Sequence, residues 1–210
     1  MAESAQDLYA RIVADLGPEG RLPMTPAQTW DVFPWEVVDG EIVPKLLTPP
    51  LDADAPRSGD PGGKPCGTCA GGGPGELLWE NEEWTLRPMP RGGLPLILML
   101  ETKEHLEYTD LSDDQAADLG RLSLWIARIM ESLDGIGRAH VMRIGDGSAH
   151  LHIWFIARHE GFPGILGSFA VEFDDMLPPT PEESWLADQR TVARKLAQHD
   201  GHSRVPEDAL

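Results

Sequence analysis

The chain is short of cysteine and of basic residues, and it lacks a long apolar run. Each shortage narrows what it can be. There are two cysteines in 210 residues, Cys66 and Cys69. In a cytoplasmic protein such a pair is a metal site or a redox pair rather than a structural disulfide. No apolar run approaches the roughly 20 residues of a membrane span. The longest, Leu94–Leu100, is interrupted by Pro95 and reads as a buried strand. Met1-Ala2-Glu3-Ser4 has neither the basic region nor the apolar core of a signal peptide, so the expected location is cytoplasmic, with no membrane partner. Lys and Arg number 17 against 35 Asp and Glu, a net charge of −18. Binders of nucleic-acid backbone carry a basic footprint, which excludes nucleic acid as the main partner. A small anionic ligand is not excluded, because a nest of backbone N–H groups holds phosphate even in an unfavourable global field. The hydrophobic fraction of 41% is enough for a real core.

Residues 4–16 read as a short amphipathic helix (Leu8, Ile12, Val13, Leu16) stopped by Gly17-Pro18. Two β-like runs, Trp30–Val38 and Glu41–Leu47, flank Asp39-Gly40, a strong hairpin signal. From Thr48 to Gly75 the chain is rich in Pro, Gly and Asp and reads as loop. Leu77–Glu80 and Trp84–Arg87 read as a hairpin, and Leu94–Glu101 as a central strand. Ser112 and Gln115 form a capping box. After them Leu119, Leu122, Ile126, Ile129 and Leu133 recur at helical spacing. Strands are expected over Ala139–Ile144 and His150–Ala157. A second capped helix is expected from Thr180 to near His199, with Pro181 in its first turn, followed by a frayed tail. This order predicts an α+β domain, an antiparallel sheet with helices on one face. The divisions are an N-terminal extension over 1–63, a main domain over 64–198 and a flexible tail over 199–210.

Two motifs carry chemistry. Lys64-Pro65-Cys66-Gly67-Thr68-Cys69 sits in a Gly/Pro loop. A thioredoxin-like redox pair would open a helix after a strand, so the loop setting favours a zinc knuckle. Structural zinc takes four Cys or His ligands, and His105 and His150 are the candidates for the other two. The second motif is Ala149-His150-Leu151-His152-Ile153-Trp154-Phe155-Ile156. Alternation in a strand projects His150, His152 and Trp154 to one face. With His150 on the metal, His152 is the free imidazole, a competent nucleophile towards phosphorus. The turn Gly145-Asp146-Gly147-Ser148 precedes it. Backbone N–H groups of Gly145, Gly147 and Ser148 are placed to face a phosphate, while Asp146 would repel one unless it points away. His140, His159, His199 and His202 read as surface or tail residues.

The segment His150-Leu-His152-Ile-Trp154-Phe-Ile resembles the signature of the histidine-triad superfamily, which includes a galactose-1-phosphate uridylyltransferase branch. Thr102-Lys103-Glu104-His105 at the end of an apolar strand is similar to the family's Pro-Lys-x-His segment. The resemblance covers roughly residues 64–157. It implies a zinc-stabilised histidine-triad-like fold, with Cys66, Cys69, His105 and His150 as ligands. It also implies nucleotidyl transfer through His152 on a nucleotide or nucleotide conjugate, and a homodimer. The departure is Trp154, where the family has His or Gln. Indole offers one N–H donor and no acceptor: it can contact a phosphate oxygen but cannot shuttle a proton. Three functions follow from these residues: a nucleotidyl hydrolase or transferase, a degenerate nucleotide-binding module without chemistry, or an unrelated zinc-scaffolded protein whose histidines are structural.

Overall fold

The computed structural model describes residues 3–23, 33–47 and 49–206. Trp30, the start of the first expected hairpin run, lies outside the described residues, as do Thr48 and 207–210. Helix α1 covers Ala5–Asp15, and the Ser4 hydroxyl accepts from the Asp7 N–H. Strands β1 (Trp35–Val38) and β2 (Glu41–Pro44) form a separate hairpin. Asp39 (φ 52°) and Gly40 (φ 84°) both take positive φ, the turn that Asp-Gly favours.

The main sheet is built from β3 (Trp79–Glu80), β4 (Trp84–Pro88), β5 (Ile97–Thr102), β6 (Ile136–Met142), β7 (His152–His159) and β8 (His202–Ser203). Its spatial order is β6-β7-β5-β4-β3-β8, all pairs antiparallel. The expected frayed tail therefore contributes an edge strand, and the Trp79 indole N–H donates to the Asp200 carbonyl beside it (2.7 Å).

Helix α2 spans Asp113–Glu131, with the Ser112/Gln115 capping box formed as expected. It buries Leu119, Leu122, Ile126, Ile129 and Met130 against Leu98, Leu100, Ile153, Phe155 and Ala157 of the sheet. Each such burial stabilises by about 1.5–3 kcal/mol. Helix α4 (Glu182–Leu196) adds Val192, Ala193 and Leu196 to the same face. Its start differs from expectation. Thr180 does not cap it, because the Thr180 hydroxyl is buried and donates to the Leu94 carbonyl (2.8 Å). Pro181 stands at the N-cap without a side-chain bond.

The opposite face of the sheet is also covered over part of its length. Leu8 and Ile12 of α1 pack with Ile97, Ile156 and Ile165, and with Ala170 of the short helix α3 (Ala170–Met176). Phe162 and Phe173 pack on this second cluster, while Phe169 meets Trp35 at 6.4 Å between ring centroids. His159 at the end of β7 is thereby buried rather than on the surface, and burial lowers its pKa to about 4. Among the described residues no helix is long and apolar enough to cross a membrane.

One carboxylate in this packing is uncomfortable. Burial, reinforced by Asp134, pushes the Asp188 carboxyl on α4 up to about 6. An unfolded Asp titrates near about 3.9, so the folded chain holds this proton more tightly. The group's stabilising contribution is complete below about pH 4 and is lost as the pH rises through about 6. Asp188→Asn should therefore raise stability by about 1–2 kcal/mol near pH 7.5. Thermal melts of the two proteins should converge by about pH 4; a gap of equal size at both pH values would contradict the assignment.

Candidate metal centre and nucleophile

The sequence brings four metal-binding side chains to one point. The Cys66–Cys69 turn closes on itself, with the Cys69 N–H 3.4 Å from Cys66 Sγ and the Ala70 N–H on the Cys66 carbonyl. His105 follows β5, and His150 precedes β7. The ligand atoms of Cys66, Cys69, His105 and His150 all lie within 4.8 Å of one another. Cys66 Sγ and Cys69 Sγ are each 3.5 Å from His150 Nδ1, and Cys69 Sγ is 3.3 Å from His105 Nδ1. A tetrahedral ion with the bond lengths of zinc to sulfur and nitrogen requires sulfur–nitrogen edges of about 3.6 Å, so the donor set and its spacing both fit. Gly59 makes room: at φ 94° it carries no Cβ, which would stand 2.7 Å from the His105 ring.

The surroundings fix the orientation of these ligands. His150 is 1% exposed, and its Nε2 lies 2.7 Å from the Thr102 carbonyl. A carbonyl only accepts, so Nε2 carries the proton and Nδ1 turns its lone pair to the sulfurs. On the knuckle side, the Thr68 hydroxyl donates to Glu101 Oε1 (2.7 Å). The last two residues of β5 thus hold both halves of the cluster. Burial pushes the Cys69 thiol up, with Cys66 and Glu101 adding to it. Metal binding, which needs the thiolate, would release that proton.

The expected common face of His150, His152 and Trp154 is only partly formed. The strand begins at His152, two residues later than expected, and His150 lies outside it in the metal cluster. His152 and Trp154 do share a face, with ring centroids 6.4 Å apart. His152 Nδ1 is 2.8 Å from the His150 carbonyl. By the same logic Nδ1 carries the proton and Nε2 presents a lone pair. His152 is half-buried, and so is Trp154, which packs on the second cluster; its Nε1 is buried without a partner.

The Gly145–Ser148 turn is held from outside. Arg57 donates to the Gly145 carbonyl (3.0 Å), and the Ser58 N–H donates to that of Gly147 (3.1 Å). Ser148 Oγ accepts from the His150 N–H (3.2 Å). The backbone N–H groups of Gly145, Gly147 and Ser148 donate to no acceptor among the described residues. Asp146 is exposed. Arg57 and Arg143 flank the turn, and both are ion-paired to Glu107.

Sequence reasoning missed Thr68, Glu101, Thr102 and Arg57. For Glu101 a signal existed: a carboxylate closing an apolar strand run. It is 2% exposed, and its Oε2 is buried without a partner. A cavity of about 810 Å³ lies elsewhere, between the β3–β4 turn, α2 and the C-terminal segment. Its charged lining is largely satisfied internally, Glu80 by Lys103 and Arg204 and Asp118 by Arg121.

No family model and no curated protein matches the chain. Solved structures do. A histidine triad protein from Marinobacter aquaeolei VT8 superposes with a TM-score of 0.50 at 21% identity, covering 62% of this chain and 93% of that one. A zinc-bound histidine triad family protein from Mycobacterium smegmatis gives 0.44 at 18% identity, with 64% and 92% covered. A histidine triad protein from Sinorhizobium meliloti 1021 gives 0.45 at 23%, with 60% and 89% covered. At these identities the likeness is one of fold.

Proposed function

The chain has the histidine-triad fold, and from that premise we propose that it is a nucleotide-binding phosphohydrolase or nucleotidyltransferase acting through His152. The observation that carries this reading is the 2.8 Å contact between His152 Nδ1 and the His150 carbonyl, which leaves Nε2 free. Nε2 attacks the α-phosphorus of a nucleotide conjugate. The nitrogen–phosphorus bond forms as the bond to the leaving group breaks, and Nδ1 keeps its proton. Water or an acceptor then displaces the imidazole. The unengaged N–H groups of the Gly145–Ser148 turn are donors for the charge that grows on the phosphoryl oxygens. Cys66, Cys69, His105 and His150 hold zinc, which fixes the fold around the nucleophile and takes no part in bond making. The protein works in the cytoplasm as a homodimer.

Intact-mass measurement after exposure to nucleoside phosphoramidates, dinucleoside polyphosphates and nucleotide sugars tests the reading. A nucleotidyl adduct on His152 is the expected result. No adduct with any conjugate, together with tight nucleotide binding by calorimetry, would support the second reading, a binding module without chemistry.

Trp154 favours that second reading, because its ring cannot pass a proton to a leaving group. Trp154→His should raise the hydrolysis rate of unactivated conjugates by about 10-fold or more, whereas Trp154→Gln, whose amide passes no proton, should gain much less. An unchanged rate in Trp154→His would mean that this position does not limit the reaction.

A further inference from the structure

Glu101 is a buried carboxylate that the proposed reaction has not yet used. It stands directly opposite His152 in the β5–β7 register, on the same face of the sheet. Directly opposed residues of an antiparallel pair bring their Cβ atoms to about 4.5–5.5 Å. Only Oε1 is engaged, by Thr68; Oε2 is buried with no partner, and Glu101 enters no ion pair among the described residues. Metal bound at the cluster would not balance it. A divalent ion with two thiolates and two neutral imidazoles carries no net charge. A buried carboxylate oxygen without a partner is costly, and a positive charge that develops opposite it offsets that cost.

We propose that Glu101 is the electrostatic partner of His152, placed to stabilise the positive charge that the imidazole acquires as Nε2 bonds to phosphorus. This rests on His152 being the nucleophile. In that step the Nε2 lone pair forms the new bond, and the electron pair of the broken bond leaves with the leaving group. Nδ1 keeps its proton, on the His150 carbonyl. The ring enters the step neutral and leaves it cationic. A fixed carboxylate opposite it therefore gains an attraction absent from the resting enzyme, the condition for lowering a barrier rather than tightening binding. The same charge repels an anionic substrate, so its removal should act in opposite directions on binding and on chemistry.

The test compares wild type with Glu101→Gln, which keeps an acceptor for Thr68, and with Thr68→Val, which loses the knuckle bond but keeps the charge. Two reagents are used, a nucleotide conjugate and inorganic phosphoramidate. The latter phosphorylates imidazole with loss of ammonia, already protonated on nitrogen, and needs no nucleotide site. Glu101→Gln should keep its metal and bind a nucleoside monophosphate as tightly as wild type or more tightly. It should form either adduct about 10–100-fold more slowly. Thr68→Val, which frees Oε1 but leaves the carboxylate in place, should form either adduct clearly faster than Glu101→Gln. Wild-type phosphorylation rates in Glu101→Gln would overturn the proposal. So would equal slowing in both variants with parallel metal loss, because Glu101 would then act only through the knuckle. If wild type forms no nucleotidyl adduct yet takes phosphoryl from phosphoramidate faster than Glu101→Gln, the nucleotide reading fails and the pairing stands.

Discussion

Replacing His152 by glycine should lower turnover of nucleotide conjugates by about 10³-fold or more and abolish the covalent adduct. No neighbouring group can take over. His150 has both ring nitrogens committed, Nε2 to the Thr102 carbonyl and Nδ1 to the ligand cluster. Trp154 has no lone pair to offer. Nor should the fold suffer much, because His152 is only half-buried and its one hydrogen bond is to a carbonyl. Metal content and melting temperature should therefore stay near wild-type values, which separates a lost nucleophile from a lost structure. Equal turnover in wild type and His152→Gly, with metal retained in both, would remove His152 from the mechanism.

The second large effect concerns the ion. Cys66→Ala should lose stoichiometric metal and melt about 10 °C lower, the shift that about 3–5 kcal/mol produces in a chain of this size. The loss is more than one bond. His150 is buried, with a lone pair facing two sulfurs. Once the ion leaves, that polar atom has neither metal nor water. The Thr102 and Thr68 contacts, which orient the ligands, then hold an empty cage. Metal analysis and melts with and without a chelator check this. A wild-type protein whose melting point ignores chelation while its metal is removed would show that the cluster contributes nothing to stability.

The parts of the fold that were legible are those where local chemistry and packing agree. Helix α2 has a capping box, a heptad-like apolar stripe and a glycine stop, and it formed as expected. The Asp39-Gly40 hairpin needs only its turn. The cysteine pair was readable as half of a candidate metal cluster because thiols three residues apart have few uses in a glycine-rich loop. What stayed hidden depends on distant partners. Two-residue β8 exists only because Trp79 and Glu80 offer it an edge, and no local pattern foretells that. The Thr180–Glu183 spacing looks like a cap, but the Thr180 hydroxyl found a better acceptor in Leu94, a residue 86 positions away. The alternation of His150, His152 and Trp154 predicted one face, yet His150 stands ahead of the strand, among the other candidate ligands. Glu101 was visible as an oddity in an apolar run, but its meaning required the register that sets it opposite His152.

The four ligands come from three stretches of chain: the knuckle, the exit of β5 and the entry to β7. The knuckle closes through local contacts, so a nascent chain can present two sulfurs early. The remaining pair arrives only when the neighbouring strands have found each other across about fifty intervening residues, a separation whose closure is entropically slow. A complete cluster is thus a record of finished assembly, and His152, tied to the His150 carbonyl, takes its orientation last.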